Sequence, residues 1–440
     1  MSTRTRTIKV ERLTRVEGEG ALTLRLRNGT VAGVECRIYE PPRFFEALLR
    51  GRHFTEAPDI TARVCGICPV AYQMSAVQAM EAACGVVVPQ PLRDLRRLLY
   101  YGEWIESHAL HIYLLHAPDF LGFESGIALA RDHPDVVARG LELKKTGNAV
   151  MATVGGREIH PVNVRVGGFY SLPARAELAR LAERLRWARE AALETVRWAA
   201  GFAFPDVERD YELVALRPES GYPIDGGRLV SSSGLDLAPE EYEAHFVEEQ
   251  APYSHALQSH RRDGGSYLVG PLARYGLNAA RLAPLARQAA EEAGLGPLCA
   301  NPYRSILVRA VEVVHACDEA VRLCEEYREP EAPSVPVNPR AGVGHGWTEA
   351  PRGLLYHRYE IDDAGTILAA DIVPPTAQNQ RVIEEDLRVV ADQHLALPEP
   401  ELALRCEAAI RNHDPCISCA THFLRLEVDR GAAGSGASGG

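Results

Sequence analysis

This 440-residue chain contains no run of about 18 uncharged apolar residues, so no membrane-spanning helix is predicted. Its N-terminus, Met1-Ser2-Thr3-Arg4-Thr5-Arg6, lacks the apolar stretch of a secretory signal, which points to the cytoplasm. Basic residues are in deficit, 48 Lys+Arg against 59 Asp+Glu for a net charge of −11. That balance argues against a broad electrostatic grip on nucleic acid or on an anionic membrane, and leaves room only for a local basic patch. Ten cysteines are too sparse and too uneven for a disulfide scaffold in a chain of this length. No internal repeat is present. What remains is an ordinary globular composition, 46% apolar and 24% charged, with chain enough for one large core or two to three modest domains.

The pattern opens as β. Leu22, Leu24 and Leu26 alternate with polar residues, Asn28-Gly29 suits a type I′ turn, and Val31, Val34, Cys36 and Ile38 lead back. After Gly51 the period becomes helical. Helices are predicted over about 71–83 and from Leu92 to His116, the latter stopped at Pro118. A long helix is expected to follow Ser171-Leu172-Pro173, with Ser171 as its cap and Leu178, Leu181, Leu185, Ala188, Ala192 and Val196 as its apolar stripe. Another spans about Ser305 to Arg328, placing Ile306, Val313, Cys317, Val321 and Cys324 on one side. Between these two, residues 205–265 read as an irregular subdomain. Residues 330–346 read as a proline-rich connector, and a hairpin is predicted from Leu354 to Val373, turning at Asp363-Ala364-Gly365. Gly431 to Gly440, all Gly, Ala and Ser, is expected to be disordered.

Chemistry concentrates in two Cys-x-x-Cys pairs at opposite ends: Arg63-Val64-Cys65-Gly66-Ile67-Cys68 and Asp414-Pro415-Cys416-Ile417-Ser418-Cys419. Each pair can place two thiolates on one soft metal, and together they can supply four. Zinc ribbons usually draw their pairs from one short segment, because a small loop costs little to close. Pairs this far apart put a metal at the centre of the fold. Spacing alone leaves a structural zinc or iron–sulfur site and a catalytic metal both open.

Nearly end to end, the sequence resembles the large subunit of nickel–iron (NiFe) hydrogenases. The motifs occur in that family's order: Arg15-Val16-Glu17-Gly18; Phe45-Glu46 before Gly51-Arg52; Arg63 to Cys68; Ser107-His108 with Pro118-Asp119-Phe120; Gly156-Arg157 with His160-Pro161; Gly167-Gly168. They continue through Ala350-Pro351-Arg352-Gly353 and Pro375-Thr376-Ala377-Gln378-Asn379 to Asp414-Pro415-Cys416-Ile417-Ser418-Cys419-Ala420-Thr421-His422. The resemblance implies a mainly α fold with small β subdomains, a bundle of long helices around a buried dinuclear metal site. Residues 1–422 would form one large-subunit domain, with helical core at about 71–204 and 270–328, and a C-terminal hairpin and metal motif at 350–422.

The resemblance also implies residue roles. Cys65 and Cys416 would be terminal nickel ligands, while Cys68 and Cys419 would bridge to an iron carrying CO and cyanide. Glu17 would accept a proton from the neighbourhood of Cys416. Arg352, held between Pro351 and Gly353, would reach over the open site toward H2 and an iron cyanide, with Asp119 and Asp414 orienting it. Thr376, beside Pro375, would donate to the other cyanide. Glu46 and His422, with a backbone carbonyl near Val373, would hold a magnesium-like ion. His108, His111, His116 and His160 read as packing or supporting residues, and Cys36, Cys84, Cys299, Cys317, Cys324 and Cys406 as small buried apolar ones.

Two departures stand out: Tyr72 and Glu19 occupy positions where members often carry histidine. The variants Pro69-Val70-Ala71-Tyr72-Gln73 and Pro375-Thr376-Ala377-Gln378-Asn379 resemble the soluble, multimeric, pyridine-nucleotide-linked type. The reaction implied is H2 ⇌ 2 H+ + 2 e−. No further cysteine set could hold a cluster chain, so an iron–sulfur small subunit is implied, with flavin-containing NAD(P) diaphorase subunits beyond it. The resemblance also implies nickel-insertion proteins and a protease that removes Phe423 onward, after His422. A hydrogen-sensing regulatory relative, and a metal-stabilised structural or electron-transport subunit of the same fold, are the alternative readings.

Overall fold

The computed structural model describes residues 5–421. His422, expected to hold an ion, and Phe423 to Gly440, expected to be cleaved or disordered, therefore lie outside the described residues. Four long helices, Gln90–Leu110, Pro134–Gly155, Arg175–Ala200 and Ser305–Glu325, pack into the central bundle. The stripe Leu178, Leu181, Leu185, Ala188, Ala192 and Val196 is buried as its period requires. Its start differs from expectation. The helix begins at Arg175, where the Glu177 carboxylate accepts the Ala174 N–H at 2.9 Å. Ser171 lies four residues before that start, too far to cap it, and its hydroxyl donates to Asn163 Oδ1 at 2.9 Å.

The Gln90–Leu110 helix runs on through a π-helical turn, His111–His116, into a short helix, Ala117–Leu121. Pro118 lies in the first turn of that last helix, where its missing N–H costs nothing, so it does not end the run. No helix among the described residues is long and apolar enough to cross a membrane.

Three strands, Thr5–Val10, Gly20–Arg27 and Thr30–Ile38, form an antiparallel sheet in that order. Asn28 (φ 53°) and Gly29 (φ 81°) make the predicted tight turn, while the edge strand Thr5–Val10 was not predicted. A second antiparallel sheet orders Gly342–Ala350, Gly353–Ile361 and Ile367–Val373. Its first strand replaces the end of the expected connector. The cause is steric: Gly344 and Gly346 lie against the Pro69–Cys84 helix, where an added Cβ would sit 1.9 Å from the Ala79 carbonyl and 2.3 Å from that of Ser75. Glycines that read as loop residues are there to let a strand touch a helix.

The 205–265 segment is more ordered than predicted. It holds the strands Val214–Arg217, Arg228–Ser231, Asp236–Leu237, Phe246–Gln250 and Leu257–Arg261. Its Val214, Leu216, Leu229, Tyr242 and Phe246 share an apolar cluster with Trp347, Tyr356 and Val373 of the second sheet.

Candidate metal centre

Each cysteine pair stands at the start of a helix. Cys65 follows a 3-10 turn, Ala62–Val64, and its sulfur accepts the N–H groups of Ile67 and Cys68, each at 3.3 Å. Cys68 immediately precedes the Pro69–Cys84 helix. The first amides of that helix are satisfied from another: the Glu103 carboxylate accepts Val70 N–H at 2.5 Å and Ala71 N–H at 3.2 Å. Glu103 is fully buried, and burial pushes its carboxyl well above the ordinary range.

The second pair is positioned from a distance. Asp414 adopts a left-handed backbone (φ 49°) just before it. The Cys416 amide donates to Thr376 Oγ1 at 3.0 Å, and Thr376 lies in the first turn of the Pro375–Gln393 helix. Residues near 17 and 416 pair as parallel backbone: the Glu17 carbonyl accepts Ile417 N–H at 3.0 Å, and its carboxylate accepts Ser418 N–H at 3.0 Å. Arg43 joins the two pairs by donating to the Val64 carbonyl at 2.7 Å and also to that of Ser418.

All four sulfurs lie within 4.8 Å of one another and are buried. Cys65 and Cys416 approach to 3.5 Å, Cys68 and Cys419 to 3.6 Å, and all four are free thiols. A tetrahedral ion with metal–sulfur bonds of about 2.3 Å sets sulfurs roughly 3.8 Å apart, so this donor set fits one metal. Geometry alone would admit zinc, nickel or an iron–sulfur cluster.

Around the sulfurs the charges are organised. Arg352 is buried, its Nε donating to the Asp414 carbonyl at 2.8 Å and its Nη2 to Asp414 Oδ1 at 3.2 Å. Its Nη1 has no protein partner. Burial opposes the charge of this guanidinium, but Asp414 and then Cys416, Cys68 and Cys65 outweigh it and hold the proton on. Burial, followed by the negative charge of Cys65, pushes the Glu17 carboxyl up. Glu46 is buried and accepts Ile372 N–H at 2.8 Å, next to Val373.

Asp119 is a correction: its carboxylate is taken by Arg15 and, at 2.7 and 2.8 Å, by Arg411, not by Arg352. Asp414 alone of the two expected carboxylates meets Arg352. Glu19 is exposed at the surface, 3.8 Å from Arg12, while Tyr72 is buried against the cluster, its hydroxyl held protonated by burial and then by the Cys419 and Cys68 charges. The other six cysteines are single and buried, as expected. Arg43, Glu103 and Ser418 were missed. None belongs to a spacing pattern, although Ser418 lies inside the second motif.

Comparison with known proteins separates the metals that geometry leaves open. Residues 43–134 and 231–422 match the nickel-dependent hydrogenase family. Sulfhydrogenase 1 subunit alpha of Pyrococcus furiosus is 34% identical over 95% of this chain and 98% of its own length. The beta subunit of the NAD-reducing hydrogenase HoxS of Cupriavidus necator is 28% identical over 95% of both. Among solved structures, an NAD+-reducing nickel–iron hydrogenase in its H2-reduced state superposes with a TM-score of 0.86 at 27% identity, covering 96% of this chain and 100% of that one. Both cysteine pairs fall within the matched residues, and the chain belongs to the nickel-dependent hydrogenase family as a large subunit.

Proposed function

We propose that this chain is the catalytic subunit of a cytoplasmic hydrogenase that interconverts H2 with protons and electrons and is linked to NAD(P). One observation carries the reading: four buried free thiols within 4.8 Å, in a chain of this family. Cys65 and Cys416 would bind nickel alone, and Cys68 and Cys419 would also bind iron carrying CO and cyanide. The close approach of Cys65 to Cys416 and of Cys68 to Cys419 supports that division. When bound, the metal pair supplies an electron-rich centre that polarises H2.

The protein supplies the rest. Arg352 brings a fixed positive charge and a free Nη1 donor to the open side of the sulfurs. Glu17, at the backbone of Cys416, takes the proton. The Ser418 amide donates to the Glu17 carboxylate and its hydroxyl to Glu40 Oε2 at 3.1 Å, which places a second, half-buried carboxylate close to Glu17. Thr376 lies near enough to the Cys416 backbone to serve a cyanide. Glu46 with the Val373 carbonyl and His422 would hold a magnesium-like ion.

Electrons leave through a partner iron–sulfur subunit, with flavin and NAD(P) beyond. The names of the Pyrococcus furiosus and Cupriavidus necator relatives, each a subunit of a larger hydrogenase, support such partners. Nickel insertion followed by cleavage after His422 would complete the chain. An intact mass of the mature subunit ending at His422 is expected, and a mature, active form that retains Phe423 would overturn that step.

The principal test is metal analysis with infrared spectroscopy on the anaerobically purified complex. About one nickel per chain, with CO and cyanide stretching bands, is expected. Zinc alone, without those bands, would reduce the assignment to a metal-stabilised structural subunit.

A further inference from the structure

Ala350 pairs with Gly353, so Pro351 and Arg352 form the two-residue tip of a β-hairpin. Hairpin tips normally face water, which satisfies their carbonyl groups. This tip is driven into the protein: Ala350 and Arg352 are each 2% exposed, and Pro351 is buried. Its carbonyls need another donor.

Arg274 is that donor. Its Nη1 reaches the Ala350 carbonyl at 2.8 Å and its Nη2 the Pro351 carbonyl at 2.9 Å, the two peptide groups immediately before Arg352. The guanidinium is itself held on every side. Glu312 accepts from Nε at 2.8 Å and from Nη2 at 2.7 Å, Glu349 Oε2 lies 3.2 Å from Nη1, and the Trp104 ring centroid is 4.4 Å from its central carbon. Glu312 is fixed in turn by the Tyr222 hydroxyl at 2.8 Å and His108 Nε2 at 3.0 Å. Arg274, Glu312 and Glu349 are all fully buried. The start of the Pro271–Asn278 helix closes the other side: Gly270 (φ +106°) lies so near that an added Cβ would sit 2.6 Å from the Arg352 carbonyl.

We infer that Arg274 is a positioning residue for Arg352, clamping the hairpin tip through the Ala350 and Pro351 carbonyls so that the Arg352 guanidinium keeps its aim at the metal site. This rests on the reading above, in which Arg352 acts on the iron ligands. A planar guanidinium can bridge two carbonyls and two carboxylates at once, which a lysine ammonium cannot. The expense of burying Arg274 and Glu312 is then explained by the geometry they impose on the tip.

The test compares the anaerobically purified complex carrying Arg274→Lys, Arg352→Lys or both, by nickel content, infrared cyanide bands and turnover per nickel. Arg352→Lys is expected to move the cyanide bands. Arg274→Lys is expected to move them with nickel retained, and to lower turnover per nickel by roughly 10²-fold, the scale of a 1 Å misplacement. The double variant should match the bands of Arg352→Lys alone, because Arg274 acts only through Arg352. Bands moved by Arg352→Lys and untouched by Arg274→Lys would overturn the positioning role while leaving Arg352 in place. Bands unmoved by Arg352→Lys would overturn the reading beneath it, and the inference with it. If Arg274→Lys yields no nickel-loaded complex, Glu312→Gln takes its place: a smaller shift of the same bands is expected, and unshifted bands would overturn the role.

Discussion

The two cysteine turns do the same job by different means. The first leans mostly on its own chain: its sulfur accepts its own loop amides and its helix starts at once, with Glu103 of the Gln90–Leu110 helix and Arg43 as its supports from outside. The second is pinned residue by residue from remote elements. Arg411 is held by Asp119, the Asn412 carbonyl by Ser305 (2.8 Å) and Arg309 (3.0 Å), His413 by Asp386 (2.9 Å), Asp414 by Arg352, and Cys416 by Thr376. A turn with a strained residue before it is stable only where its surroundings over-determine it. The first turn therefore needs few outside supports, and the second needs nearly the whole fold.

The largest expected effect falls on the second turn. Arg411→Met leaves the Asp119 carboxylate without its bidentate partner and removes a donor to the Thr14 carbonyl. Arg15 still holds the carboxylate, so a loss of about 2–3 kcal/mol in the urea unfolding free energy of the complex is expected, with nickel content falling in step. Unchanged stability would mean that the second turn is as self-sufficient as the first.

The first turn should yield less. Glu103→Ala removes a helix cap and is expected to cost about 1–2 kcal/mol, whereas Glu103→Gln should be nearly silent. Burial pushes the Glu103 carboxyl well above its ordinary range, which disfavours its charge, and an amide oxygen can still accept from Val70 and Ala71. A large loss with glutamine would show that its charge matters to the turn.

A graded effect, spread over pH, concerns the scaffold around both turns. Burial, the largest cause in each case, raises Glu106, Glu349 and Glu384 to about 7. Unfolded glutamates titrate near about 4.3. Between that value and about 7, the unfolded chain has released these protons while the folded chain still holds them. Stability is therefore fully present at low pH as far as these groups are concerned, and is lost as pH rises through about 7. Unfolding midpoints compared at pH 5.5 and 8 (about one unit or more to either side of neutrality) should show the decline, and Glu384→Gln should flatten part of it.

How far the sequence disclosed the site follows from the same contrast. Cys65, Cys68, Cys416, Cys419, Glu17 and Arg352 stand in motifs with fixed spacing, and each lies at the centre or against it. The helical stripe from Leu178 to Val196 was readable because burial on one face imposes its own period. Asp119 was misassigned, because proximity to a motif does not say which of several arginines a carboxylate will meet. Arg43, Glu103 and Arg274 were invisible for a related reason: each acts through one long-range contact, and single contacts leave no period. The strand Gly342–Ala350 was hidden because its glycines answer to a neighbouring helix and not to their own segment.

The backbone bridge between Glu17 and Cys416 bears on how a cell must make this protein. During synthesis, a chain halted anywhere before residue 416 holds only two of the four thiols of the centre, Cys65 and Cys68. The Glu17 backbone has to wait for its partner at Cys416 while nearly the whole sequence leaves the ribosome. Loading is thus postponed until translation is almost finished, and premature metal capture by a half-made chain would find only half a site.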